Sequence, residues 1–256
     1  MERSSRPVFK RSELTQPRPA GAATAASGNA GFTPALASRF ETEGAAHHSG
    51  AALSILPDLL SLAGSLPQER AGIRLHGNPA LRAILASDAI RNVLAHHDGT
   101  TAYRPVRAIL FDKSPATNWS LGWHQDRTIV VRARDDMPGY GPWSRKAGLQ
   151  HVEPPFALIE AMLTLRIHLD DVPADNAPLR VAPGSHRLGR LPEQEIETVV
   201  RRCGIRSCLA TAGDVWVYAT AIVHASATAK RHAHHRVLQV DFASVDLPPP
   251  LAWLGV

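Results

Sequence analysis

A chain of 256 residues, 44% hydrophobic and 20% charged, has the length and composition of one large domain with its own core. It has no apolar run long enough to span a bilayer, and its basic amino terminus, MERSSRPVFKRSELTQPRP, lacks the apolar stretch of a secretory signal, so no membrane role is expected and the cytoplasm is the default location. Two cysteines, Cys203 and Cys208, cannot form a disulfide framework or a complete structural zinc site, and the net charge of +5 is scattered and partly confined to Arg3, Arg6, Lys10, Arg11 and Arg18, which argues against a nucleic-acid partner.

Residues 1–48 are rich in Ala, Gly, Ser, Thr and Pro without apolar periodicity, and are predicted to be disordered or loosely packed ahead of a single domain over 49–256. A helix is expected from about Pro57, with Leu59, Leu60 and Ala63 on its apolar side and Gly64 near its end. A second follows Ser87, where Ile90, Val93, Leu94 and His97 recur at helical spacing. Residues 103–112 read as a strand. Arg132 to Pro155 is a Gly-, Pro- and Trp-containing insertion at 132–155, read as a lid because long loops inside domains are often functional. From 162 to 170 the pattern alternates without a break: Leu163, Leu165, Ile167 and Leu169 on one face, Thr164, Arg166 and His168 on the other, as in a half-buried strand. Further strands are predicted at 179–182, 206–210, 214–218 and 236–243, with one more helix over 192–202. Helices first and many short strands after them predict a mainly β fold with helices packed on one sheet.

Two short segments carry chemistry. In Trp123-His124-Gln125-Asp126-Arg127, residues i and i+2 of an extended chain point to the same side, so His124 and Asp126 can grip one ion together. His224, in Val223-His224-Ala225-Ser226, would supply a third ligand from a distant strand. Two imidazoles and one carboxylate on one face leave the opposite positions open, the donor set of non-haem Fe(II) oxygenases. His232, His234 and His235 form a denser cluster and are read as a basic surface turn; His168, Trp143 and His151 are open between cavity and packing roles.

The ordered set Trp123-His124-Gln125-Asp126, Leu169-Asp170-Asp171, the run Asn176-Ala177-Pro178-Leu179 through Pro183-Gly184-Ser185-His186, then His224-Ala225-Ser226 and Arg236, resembles the phytanoyl-CoA dioxygenase family over residues 103–243. Ala177 stands where the family usually has Gly. The resemblance implies a double-stranded β-helix (a jelly roll, cupin-like), Fe(II) held by His124, Asp126 and His224, and 2-oxoglutarate as co-substrate. Arg236, assisted by Ser226, would clamp its distal carboxylate, a task suited to a planar guanidinium. Thr164 and Arg166 would line the co-substrate site, with Lys113 and Asn118 as further pocket residues.

The implied activity is O2-dependent hydroxylation of a C–H bond in a small molecule, with release of succinate and CO2. A carboxylate at 126 leaves no place for chloride on the metal, which favours hydroxylation over halogenation, and the basic balance favours an anionic substrate. Two other readings stay open. One is a jelly-roll binding protein that keeps the metal site without turnover; the other is a cupin-type metal enzyme that does not use 2-oxoglutarate.

Overall fold

The computed structural model describes residues 34–98, 103–230 and 234–256. Helices dominate the first part: α1 (Pro34–Glu43), followed after β1 (Ala45–His48) by α2 (Leu56–Gly64), and then, after β2 (Gly72–Leu75), by α3 (Pro79–Leu85) and α4 (Asp88–Asp98). Local chemistry starts them. Proline stands in the first turn of α2, and α3 begins with the Asn78 side chain accepting the Leu81 N–H at 3.0 Å and Pro79 just behind it.

Strands take over from β3 (Arg104–Lys113), through β4 (Leu121–His124), β5 (Ile129–Val131), β6 (Trp143–Lys146) and β7 (Leu149–Val152). A short helix α5 (Phe156–Glu160) precedes β8 (Leu163–His168) and β9 (Leu179–Val181). Helix α6 (Ile196–Cys203) leads into β10 (Arg206–Cys208), β11 (Val215–Ala219), β12 (His224–Ser226) and β13 (His235–Ala243). All pairings between these strands are antiparallel. A six-stranded sheet runs in the order β1-β11-β8-β13-β3-β2, a four-stranded sheet in the order β10-β9-β12-β4, and a three-stranded sheet in the order β5-β7-β6.

The larger sheet is covered on both faces. Its outer face presents Leu165, Ile167, Leu238 and Val240 to Leu59, Leu81, Ile90 and Val93 from the helices. Side chains of this kind, fully removed from water, each stabilise the fold by about 1.5–3 kcal/mol. Its inner face meets the four-stranded sheet, where Trp216 and Tyr218 pack with Leu179, Val181 and Cys208. The strand pattern predicts a mainly β fold with helices packed on one sheet, and the packing of the two larger sheets is the jelly roll implied by the family resemblance. Strand β8 is therefore buried along its whole length, not on one face as its alternation suggested, because the second sheet covers the face carrying Thr164, Arg166 and His168.

The segment expected to be loose before residue 49 is in place from residue 34, and residues 1–33 lie outside the described part. Strand β1 pairs with β11, and Ala45 and Ala46 are buried. The turn into it needs Gly44, which has φ +75° and lies against the His186 ring. His48 then meets His97 of α4, Nε2 to Nε2, at 2.7 Å. The insertion at 132–155 is likewise built: β6 and β7 join β5 in a sheet whose Val131 and Val152 pack with Trp143 and Trp253. Both cysteines are free thiols. Among the described residues no helix is long and apolar enough to cross a membrane.

Candidate metal centre

The antiparallel pairing of β12 with β4 sets His224 directly opposite His124, with ring centroids 4.3 Å apart. Asp126 follows two residues later on the same side. One ligand atom from each of His124, Asp126 and His224 lies within 4.8 Å of the others, and this is the one such group of three among the described residues. Gln125 points the opposite way, buried, donating to the Gly189 and Ala221 carbonyls at 3.0 and 2.8 Å and accepting the Leu191 N–H at 2.9 Å. That anchor pins the motif loop.

Both imidazoles are oriented by backbone. Nδ1–H of His124 donates to the Gly122 carbonyl at 2.8 Å, and Nδ1–H of His224 to the Ile222 carbonyl at 2.9 Å. This fixes the tautomer that leaves each Nε2 lone pair free for a metal. Burial, then His124, pulls the His224 pKa down to about 4, so it is neutral at physiological pH. Burial alone would raise Asp126, but Arg107, then His224 and His124, outweigh it and hold the carboxyl below its ordinary range. Two imidazoles with Nε2 turned to one point and an ionised carboxylate fit a ferrous ion with open positions opposite them.

The triad faces a cavity of about 130 Å³ between the two sheets. Register across the larger sheet sets its inner wall in rows: Arg107–Asp241–Thr164, then Ile109–Gln239–Arg166, Phe111–Val237–His168, and Lys113–His235. Arg166, Lys113, His235 and Ser226 all line the cavity. Arg166 donates to Gln239 Oε1 at 3.0 Å, while its Nε is buried without a partner. Lys113 Nζ donates to Ser226 Oγ at 2.7 Å and to the Ala227 carbonyl, and lies 4.9 Å from the centre of the Trp119 ring. Burial, then Arg166, lowers Lys113 to about 8; burial, then Arg166 and Lys113, lowers His235 to about 3. Among the described residues Lys113 and Arg166 thus contact no carboxylate: Arg166 meets an amide, and Lys113 a hydroxyl and a carbonyl. That is the electrostatics of a seat for an anion.

Several expected site residues fall elsewhere. Arg236 does not line the cavity. It shares the face of β13 with Leu238, Val240 and Phe242, and its guanidinium forks onto Asp170 at 2.9 and 2.6 Å while its N–H donates to the same carboxylate at 2.8 Å. Strand alternation gives the inward position to His235, so His235 is a cavity residue and not part of a surface turn. His234 lies exposed on Asp112, and His232 is outside the described residues. Thr164 faces inward but stops short of the cavity, donating to Asp241 at 3.1 Å. His168 stacks behind His235, ring centres 6.2 Å apart, and Asn118 is taken up by the backbone of Ala229. Trp143 and His151 belong to the three-stranded sheet, and no residue of 132–155 lines the cavity. The Arg107–Asp241 pair escaped sequence reading, although Arg107 has the inward parity of Ile109, Phe111 and Lys113.

A jelly roll with two imidazoles and a carboxylate converging beside a cationic cavity defines a metal-dependent oxygenase scaffold. The chain belongs to the phytanoyl-CoA dioxygenase family, whose model matches residues 74–233; the family depends on Fe(II) and 2-oxoglutarate. No curated protein sequence matches the chain. Among solved structures it is similar to EctD from S. alaskensis with bound Fe (16% identity, 89% of this chain and 83% of that one, TM-score 0.61). It is also similar to the non-haem alpha-ketoglutarate-dependent epimerase SnoN from nogalamycin biosynthesis (15% identity, 84% and 89%, TM-score 0.57). A third is HygX from Streptomyces hygroscopicus with nickel and 2-oxoglutarate bound (13% identity, 83% and 87%, TM-score 0.55). At these identities the likeness speaks for the fold.

Proposed function

We propose that the protein hydroxylates a C–H bond of a small molecule, using O2 and 2-oxoglutarate and releasing succinate and CO2. The convergence of His124, Asp126 and His224 on one point carries this reading. These three would hold Fe(II), which when bound supplies the activation of O2. Arg166 and Lys113, with Ser226 and His235 beside them, would take the distal carboxylate of 2-oxoglutarate, the role expected of Arg236, whose guanidinium is instead forked onto Asp170. Among the described residues Arg166 Nε has no partner to give up, and Lys113 already holds Ser226 in place.

The cavity is too small for co-substrate and a sizeable substrate together, since pockets for drug-sized ligands run to roughly 300–1,000 Å³. The substrate would therefore lie across the rim. There Phe111, Trp119 and Leu121 offer apolar surface, and Leu121 is 50% exposed. An anionic substrate group would compete with the co-substrate for Lys113 and Arg166, so the contact we assign to the substrate at this rim is apolar. The similar structures include an epimerase and a carbocyclase, each named as alpha-ketoglutarate dependent. The hydroxylation outcome accordingly rests on product analysis. The test is substrate-stimulated succinate formation from 2-oxoglutarate and Fe(II) against fractionated metabolite extracts, with mass analysis of the product. Loss of succinate in His124→Ala and Asp126→Ala, and a gain of one oxygen atom in the substrate, are the expected results. Succinate formation that survives both substitutions would refute the site.

A further inference from the structure

Each imidazole of the metal centre is held by a carbonyl two residues before it, but Asp126 lies past the end of β4, where no strand ladder fixes it. Among the hydrogen bonds and ion pairs of the described residues its carboxylate has one partner, Arg107, whose Nη2 lies 3.5 Å from Asp126 Oδ2. Arg107 is itself tied down. Its Nε pairs with Asp241 Oδ2; Asp241 Oδ1 accepts from Thr164 Oγ1 at 3.1 Å; and Thr164 Oγ1 meets Thr220 Oγ1 at 2.9 Å. Arg107, Asp241 and Thr164 form one row across β3, β13 and β8, with Asp241 side chain only 3% exposed and Arg107 13%.

We propose that Arg107 is a positioning residue that holds one oxygen of Asp126 and so presents the other to the metal as a single-oxygen ligand, and that Asp241, braced by Thr164, sets how far the guanidinium reaches. This rests on the reading of His124, Asp126 and His224 as metal ligands. The two carboxylates compete for one guanidinium. If Asp241 were absent, Arg107 could swing wholly onto Asp126 as a two-pronged partner and take the carboxylate from the metal. If Arg107 were absent, Asp126 would lose the contact that orients it for the metal, and when it did bind could turn both oxygens to the ion and fill a position that co-substrate or O2 needs. The intermediate geometry, a firm pair with Asp241 and a longer reach to Asp126, avoids both. The row also connects ligands carried by the smaller sheet to the larger sheet, where the anion seat lies.

The experiment is Co(II) titration of the metal-free protein, read by affinity and by the visible bands of Co(II), whose intensity falls as coordination number rises. Thermal unfolding of the metal-free protein is measured alongside. Arg107→Gln alone leaves Asp241 buried and unpaired, so the principal variant is Arg107→Gln with Asp241→Asn, which removes both charges of the pair together; Thr164→Val probes the brace without touching either charge. The double variant is expected to bind Co(II) about 10- to 100-fold more weakly, the usual loss when an outer partner of a ligand is removed, with weaker visible bands. Thr164→Val should move affinity in the same direction by a smaller factor, and Arg107→Lys, which keeps the charge without the fork, should fall between parent and double variant. Parent-like affinity and spectrum in the double variant would overturn the proposal. Co(II) binding by the parent that is unchanged in His224→Ala would instead overturn the metal-centre reading beneath it.

Discussion

Replacing Arg166 with alanine and, separately, Arg236 with alanine separates the two possible seats for the co-substrate's distal carboxylate. Arg166 is 9% exposed, lines the cavity and has an unpartnered Nε, so a carboxylate placed there gains hydrogen bonds to a charged group away from bulk water. Such bonds contribute about 1.5–3 kcal/mol each. A loss of about 2–3 kcal/mol corresponds to a roughly 30- to 150-fold rise in the dissociation constant of 2-oxoglutarate. Arg236 faces away, with its side chain 29% exposed and forked onto Asp170. Removing it should lower stability by about 1 kcal/mol and leave 2-oxoglutarate affinity within about twofold. Titration calorimetry of 2-oxoglutarate into Mn(II)-loaded protein measures both, with thermal unfolding as the control for folding. Weakening by Arg236→Ala equal to that by Arg166→Ala, at unchanged thermal stability, would refute the placement.

Lys113 gives a pH signature. Its folded pKa is about 8, below the ordinary 10.5, so its charge helps hold an anion below pH 8 and is lost as pH rises through that value. 2-Oxoglutarate affinity should fall above about pH 8, and Lys113→Met should flatten that dependence. For folding the sign is opposite: between about 8 and 10.5 the unfolded chain binds the extra proton, so the Lys113 contribution to stability rises with pH across that window. Gly44→Ala places a methyl group against the His186 ring at a positive φ, and should destabilise the fold by about 2–4 kcal/mol in denaturant unfolding. Asn78→Ala removes the side-chain cap of α3 and should lower stability by about 1 kcal/mol in the same assay, without altering metal affinity.

Where apolar residues repeat, the sequence was readable. The alternation around Leu163–Leu169 located β8, helical spacing at Ile90, Val93 and Leu94 located α4, and the i, i+2 rule brought His124 and Asp126 together. What failed has a common cause: motif spacing alone does not say which side of a strand a residue occupies. Arg236 sits in phase with Leu238, Val240 and Phe242, all packed beneath the helices, so its outward direction was legible from parity once β13 was extended back to His235. The same parity puts Lys113 in step with Arg107, and so inside. The role of Asp241 was not legible, because its partner Arg107 stands 134 positions away and only sheet register brings the two together. Composition misled over residues 34–48: short runs such as Ala45-Ala46 carry no periodicity, yet tertiary pairing makes them a strand.

That first strand has an architectural consequence. Val215, Trp216, Val217, Tyr218 and Ala219 are all buried, and β1 covers the flank of β11 that β8 leaves open. A fragment starting at residue 49 would lay bare a row of main-chain donors and acceptors beside aromatic and β-branched side chains, a ready template for adhesion between molecules. A fragment starting at residue 34 keeps that flank sealed. The four residues Ala45–His48 thus act as a shield against self-association, and trimming for crystallisation should stop before them.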